Sequence, residues 1–169
     1  LAQGNLKIDD LHTVRINDLL GRDLAPPNRD YLRLNTTNKV VMVTGAGGSI
    51  GSELCRQIVQ LQPKQIVLFE QNEFSLYSID QELKEFAGNS SNITIYPILG
   101  SVTDVDLVER VCKKFSVETI YHSAAYKHVP MIELNILSGI ENNIFGTLSF
   151  AQAAITANVE VFVLISTDK

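Results

Sequence analysis

Thr44-Gly-Ala-Gly-Gly-Ser-Ile-Gly51 sets Gly45, Gly48 and Gly51 at regular intervals directly after the apolar run Val40-Val-Met-Val43. Glycines at such spacing allow a tight turn and let the backbone approach a pyrophosphate, while the start of the following helix offers free N–H groups and the positive end of its dipole. The backbone of Gly45, Gly47, Gly48, Ser49, Ile50 and Gly51 is therefore a candidate dinucleotide cradle. A glycine-rich loop alone is a weak signal, but here an apolar strand precedes it and a helical pattern follows, which is the context the chemistry requires. Glu70 closes the next apolar run, Gln65-Ile-Val-Leu-Phe-Glu70. A carboxylate about twenty residues beyond the loop can accept hydrogen bonds from the adenosine ribose and repels a 2′-phosphate, which favours NAD over NADP.

Two further stretches carry polar groups next to apolar runs. His122-Ser-Ala-Ala-Tyr-Lys-His-Val-Pro130 follows Glu118-Thr-Ile-Tyr-His122, and its small residues Ser123, Ala124 and Ala125 let the loop pass close beneath a cofactor. His122 and His128 do not define a metal centre, because no cysteine or carboxylate pair nearby completes a ligand set. Asn143 falls, by periodicity, on the sheet-facing side of a helix, where an amide needs hydrogen-bond partners. At the end of the chain, Val161-Phe-Val-Leu-Ile165 runs into Ser166, Thr167, Asp168 and Lys169. These are two hydroxyls, a carboxylate and an amine placed just past a buried strand.

The elements that must position these groups alternate strand and helix. Ile50, Leu54, Ile58 and Leu61 recur at helical spacing, as do Leu76, Ile79, Leu83 and Phe86 in a second helix closed by Gly88. Ile93–Pro97 reads as the third strand, Val108, Val111 and Phe115 as a third helix capped by Thr103 or Asp104, and Ile140, Ile144, Leu148, Ala151 and Ile155 as the buried stripe of a long fourth helix. The continuous apolar strands predict an α/β Rossmann-type, doubly wound parallel sheet with helices on both faces and five strands. Ligands in such sheets lie beyond the carboxyl ends of the strands, where strand order reverses. The glycine loop, Glu70, the 122–130 segment and the final Ser-Thr-Asp-Lys all fall on that side.

Residues 39–169 form this domain. Residues 1–38, with the short helical candidate Val14–Gly21 and the Pro26-Pro27 pair, read as a linker or arm packed on its surface. A composition of 45% hydrophobic and 20% charged residues belongs to a soluble globular domain. The net charge of −5, without a basic stripe, argues against nucleic-acid binding. Cys55 and Cys112 lie among aliphatic neighbours on helices and read as buried, inert thiols in a reducing compartment. No apolar run reaches the ~18 residues of a membrane span. The start at Leu1, without an initiator Met or signal-peptide layout, suggests a piece of a longer protein.

Thr44-Gly-x-x-Gly-x-x-Gly51 together with Ser166-Thr167 resembles the extended short-chain dehydrogenase/reductases. More narrowly, Val41–Glu53, Ala124-Ala-Tyr-Lys-His-Val-Pro130 and Ser166-Thr-Asp-Lys169 resemble the polysaccharide-biosynthesis nucleotide-sugar dehydratases, the UDP-N-acetylglucosamine 4,6-dehydratase group. The sequence departs from that pattern at Ile136, where relatives often carry Pro, and at Ser101, where many carry Asp near the adenine. The resemblance implies an NAD cofactor, with NADP as the alternative, held by the loop residues above together with Glu70, Ser101, Val102, Ser123, Ala124, Ala125, Lys127 and Asn143. It also implies catalytic roles for Thr167 on the sugar 4-hydroxyl, Asp168 as the acid for the departing 6-hydroxyl and Lys169 as the base at C5. A Tyr or Met, a second Lys and a sugar-binding portion would follow in the parent. The isolated piece is then expected to be inactive. The parent is expected to be a homo-oligomer whose cytoplasmic catalytic part follows a membrane-embedded region, on the inner face of a bacterial membrane. A 4-epimerase or dehydrogenase on the same fold and a nonenzymatic dinucleotide-binding module remain the alternatives; the Asp-Lys pair weighs against the former.

Overall fold

The computed structural model describes residues 28–87 and 93–166. The helical candidate Val14–Gly21, the helix-ending Gly88 and the final Thr167, Asp168 and Lys169 lie outside the described residues.

Five parallel strands, β1 (Val40–Thr44), β2 (Gln65–Glu70), β3 (Thr94–Leu99), β4 (Thr119–His122) and β5 (Val161–Leu164), form one sheet in the order β3-β2-β1-β4-β5. The first three strands step outward from β1, and the chain then returns to place β4 on its other side. The order therefore reverses between β1 and β4, paired Val41 to Thr119 through Thr44 to His122. β1 is buried throughout because alternate side chains enter two different cores. Val40 and Met42 join Val67, Phe69, Val108, Ile120 and Phe150 on one face, whereas Val41 and Val43 join Cys55, Ile58, Ile66, Leu68 and Leu83 on the other.

The helices occupy the expected places, with instructive differences. A short helix, α1 (Arg29–Leu34), lies inside the segment read as an arm; Asn28 Oδ1 caps it by accepting from Asp30 and Tyr31 N–H. The segment is pinned to the end of the helix after β1 by Thr37 Oγ1, which donates to Leu61 O at 2.8 Å, and to β4 by the buried Thr36, whose Oγ1 lies 3.4 Å from Tyr121 Oη. α2 (Ser49–Gln60) and α3 (Glu73–Ala87) cover one face, and Arg56 ties them by donating to both carboxylate oxygens of Glu82. The third strand runs past Pro97 to Leu99, tolerable because β3 is an edge strand and need satisfy only one neighbour. Asp104, rather than Thr103, caps α4 (Val105–Phe115), accepting from Leu107 N–H at 3.0 Å. The fourth strand begins at Thr119; Glu118, just before it, donates its N–H to Val40 O at 2.9 Å, and its side chain turns back to accept from Val40 N–H and Lys39.

The largest difference is in the helix after β4. After a short α5 (Val129–Leu134), the helix runs as α6 (Ile136–Ile140), a π-helical turn (Glu141–Gly146) and α7 (Thr147–Thr156). The stripe Ile140, Ile144, Leu148 and Ile155 points outward, and Asn142, Gly146, Phe150, Ala153 and Ala154 face inward instead. The sequence offers two apolar faces, and close approach selects between them. A Cβ on Gly146 would sit 3.1 Å from Val102 Cγ2, and only the line containing Gly146 and the two alanines is small enough to lie against that neighbour.

Candidate dinucleotide site

The site begins with β1 ending in a buried threonine. Thr44 Oγ1 accepts from the N–H groups of Ser123 (3.1 Å) and Ala124 (3.2 Å) and lies 3.0 Å from His122 Nδ1. A hydroxyl oxygen offers two lone pairs, both now taken, so its proton points to Nδ1 and the imidazole proton sits on Nε2, facing Thr147 Oγ1 at 3.2 Å. Burial pushes His122 down to about 4 and keeps the ring neutral. Its two nitrogens thus join β1, β4 and α7 in a structural role. Ser123 Oγ also donates to Thr44 O at 2.6 Å, which fixes the 123–125 loop beside the glycine loop.

The glycine loop itself is built on contacts that exclude side chains. Gly45 has φ +61°, and a Cβ there would lie 2.9 Å from Ala124 Cα. A Cβ on Gly51 would lie 2.0 Å from Gly45 O, and one on Gly47 2.4 Å from Ser75 Cβ. Gly48 differs, because a Cβ there meets only Gly45 O at 3.2 Å within contact range. The N-cap of α2 is Gly48, which has no side chain with which to cap the helix. Ser49 and Ile50 occupy its exposed first turn. An uncapped N-terminus of a twelve-residue helix beside a groove is suited to an anionic diphosphate.

Glu70 is buried at the rim of this groove. Its Oε1 accepts from Gln71 and Asn72 N–H, both at 2.9 Å, and its Oε2 accepts from Gly47 N–H at 3.1 Å. A carboxylate has about four lone-pair positions; these three bonds leave Oε2 able to accept one more donor, such as a ribose hydroxyl. Glu70 therefore both anchors the glycine loop and presents a fixed negative charge.

A groove of about 180 Å³ collects Gly45, Gly48, Glu70, Val102, Ser123, Ala124 and Ala125 from the expected residues. Phe69, Gln71, Gly100, Tyr126 and Asn142 join them. Ser101 stands aside, paired through Oγ with Thr103 Oγ1 at 2.8 Å. Asn143 is half-buried rather than sheet-facing. Its Oδ1 accepts from Tyr126 N–H at 2.9 Å, its Nδ2 donates to Tyr126 O at 2.8 Å, and Asn142, one position earlier, is the buried amide that lines the groove. The π-helical turn accounts for the shift, since it adds a residue to the helical repeat at this point. Lys127 and His128 line a second, larger cleft of about 410 Å³ that shares Ala125 and Tyr126 with the groove and extends over Met131, Asn135 and Ser138. Beyond β5, Ile165 N–H donates to His122 O at 2.9 Å, so the chain leaving the last strand runs beside the same loop.

A parallel sheet in the order β3-β2-β1-β4-β5 with a glycine-rich loop at its switch point defines the class of Rossmann-type, doubly wound α/β proteins. Within it the chain belongs to the family described as polysaccharide biosynthesis protein, whose sequence profile matches residues 41–169. It is 43% identical over its whole length to the capsular polysaccharide biosynthesis protein CapD of Staphylococcus aureus, spanning 28% of that protein. It is 31% identical to the inverting UDP-N-acetylglucosamine 4,6-dehydratase of Campylobacter jejuni, with 78% of this chain matching 37% of that one. In structure it resembles the UDP-glucose-4-epimerase of Stenotrophomonas maltophila, solved with bound NAD and formylated UDP-arabinopyranose (TM-score 0.64, 20% identity, 77% of this chain and 37% of that chain). The chain thus spans well under half the length of these proteins.

Proposed function

We propose that the chain is the cofactor-binding part of an NAD-dependent nucleotide-sugar 4,6-dehydratase acting on UDP-N-acetylglucosamine or a similar UDP-sugar in surface polysaccharide synthesis. The observation that carries the cofactor reading is the open α2 N-terminus above Gly48 with the Glu70 carboxylate at the rim of the same groove. The pyrophosphate would lie against the α2 amides, and the adenosine ribose would take the remaining acceptor position on Glu70 Oε2. The fixed carboxylate disfavours a 2′-phosphate and supports NAD over NADP. The cleft containing Lys127 and His128 shares Ala125 and Tyr126 with the groove and would admit the sugar nucleotide from the nicotinamide side.

Bound NAD supplies a hydride acceptor for sugar C4 and returns the hydride at C6, so the redox cycle closes without a net oxidant. In this reading Thr167 holds the 4-hydroxyl and Lys169 removes the C5 proton, made acidic by the 4-keto group. Asp168 donates the proton with which the 6-hydroxyl leaves as water. One acid and one base in adjacent positions suit this β-elimination, provided each is held in its working protonation state. The exposed apolar line on α6 and α7 supports a homo-oligomeric full-length protein, and the reading includes its attachment to the inner face of a bacterial membrane through a preceding region. The 169-residue chain alone is expected to bind cofactor without turnover, because productive geometry needs the missing partners of Asp168 and Lys169.

The test is formation of 4-keto-6-deoxy sugar from UDP-N-acetylglucosamine by the full-length protein. Asp168→Asn and Lys169→Ala should each lower it by roughly 100-fold or more while NAD binding persists. Near-normal turnover by either variant would exclude these roles, and formation of a 4-epimer instead would favour the epimerase reading.

A further inference from the structure

The groove that would take the dinucleotide is bridged at its mouth. Gln71 follows β2 and Tyr126 follows β4, and these strands flank β1 on opposite sides. Gln71 Nε2 lies 3.4 Å from Tyr126 Oη, so the contact crosses the end of β1, where the glycine loop sits, and both residues line the groove. Each is anchored through its main chain. Gln71 N–H is held by Glu70 Oε1, and Tyr126 has both its N–H and its C=O clamped by Asn143. Their side chains are exposed and belong to neither core, so only side-chain torsions separate a joined pair from a parted one. With the pair joined, the groove measures about 180 Å³, below the ~300–1,000 Å³ usual for small-molecule sites.

We infer that Gln71 and Tyr126 form a strap over the dinucleotide groove, parting to admit the cofactor and rejoining to slow its escape. This rests on the dinucleotide reading above. A reaction that returns its hydride to the same sugar gains nothing from cofactor exchange, and a strap anchored in the two rims of the groove retains the cofactor between the two hydride steps. Tyr126 also borders the larger cleft, so its ring stands where the cofactor and sugar sides meet.

The experiment is NADH dissociation from the full-length protein, followed by fluorescence after mixing with excess NAD, for wild type, Gln71→Ala, Tyr126→Phe and the double variant. Each single change should raise the dissociation rate by about threefold to tenfold, the scale of one neutral hydrogen bond. The double variant should be no faster than either single one, because all three lack the same contact. Unchanged rates in the single variants, or effects that multiply in the double, would overturn the strap and leave the dinucleotide site standing. Failure of the wild type to bind NADH would overturn the dinucleotide reading and the strap with it. Both side chains are exposed, so the variants should retain the wild-type unfolding midpoint.

Discussion

Thr44 and His122 show how residues outside the lining of a groove can set its shape. The threonine hydroxyl takes two loop amides and gives its proton to a buried imidazole, so the 123–125 loop is held to β1. That arrangement requires a neutral His122, whose value is lowered by burial to about 4 from 6.5. The unfolded chain then binds a proton more readily than the folded one between those two values, so stability is fully present above pH 6.5 and is lost as pH falls toward 4. Urea unfolding at pH 7 and pH 4.5 should show a loss of roughly 2–3 kcal/mol attributable to this group. His122→Asn should be less stable at pH 7 and should lack that part of the pH dependence. An identical pH dependence in the variant would mean that carboxylates alone drive acid unfolding. The thiols are a contrasting case at the same scale. Cys55 and Cys112 are both buried, and burial pushes them up to about 12 and about 11, so neither is a nucleophile at neutral pH.

Among the elements, the strands were the most legible in the sequence. Val40-Val-Met-Val43 and Ile66-Val-Leu-Phe69 are apolar at every position, and only a strand buried on both faces needs that. The helix after β4 was legible in its length but not in its rotation. Leu148 and Phe150 are both apolar and spaced to serve either face, and the choice depends on Gly146 fitting against Val102, a tertiary contact that periodicity does not encode. The π-helical turn is likewise invisible to a fixed repeat, which is why periodicity puts Asn143 rather than Asn142 on the sheet side. The observed rotation makes a direct prediction for the 169-residue chain. Phe150→Ala, which empties a fully buried site in contact with Phe69 and His122, should cost about 3–5 kcal/mol. Leu148→Gln should change stability by no more than about 0.5 kcal/mol. Chemical denaturation checks both, and the reverse ranking would mean that the helix is turned the other way.

At the scale of the whole molecule, the return of the chain across β1 brings the site together. The β1, β2 and β4 loops converge only because the strand order is β3-β2-β1-β4-β5. The glycine spacing, Glu70 and the small residues 123–125 were readable in advance because each reflects a local requirement for space or charge. Gln71, Gly100, Tyr126 and Asn142 were not, since nothing in their types distinguishes them until the sheet places them around one groove. The central claim is that this groove holds the pyrophosphate of a dinucleotide against the start of α2, and Gly48 offers the cleanest access to it. A side chain at Gly51 would collide with Gly45 O at 2.0 Å and damage the fold. Gly48, in contrast, has φ −73° and ψ 168°, outside the left-handed region, and an added Cβ meets only Gly45 O at 3.2 Å, a close contact that a shift of a few tenths of an ångström relieves. Calorimetric titration of NAD into wild type and Gly48→Val, with unfolding midpoints measured alongside, is therefore the decisive measurement. The account predicts at least a 100-fold loss of affinity in the variant, the scale of a blocked contact worth about 3 kcal/mol, with a midpoint shift far smaller than that of Gly51→Val; equal NAD affinity in the two proteins would contradict it.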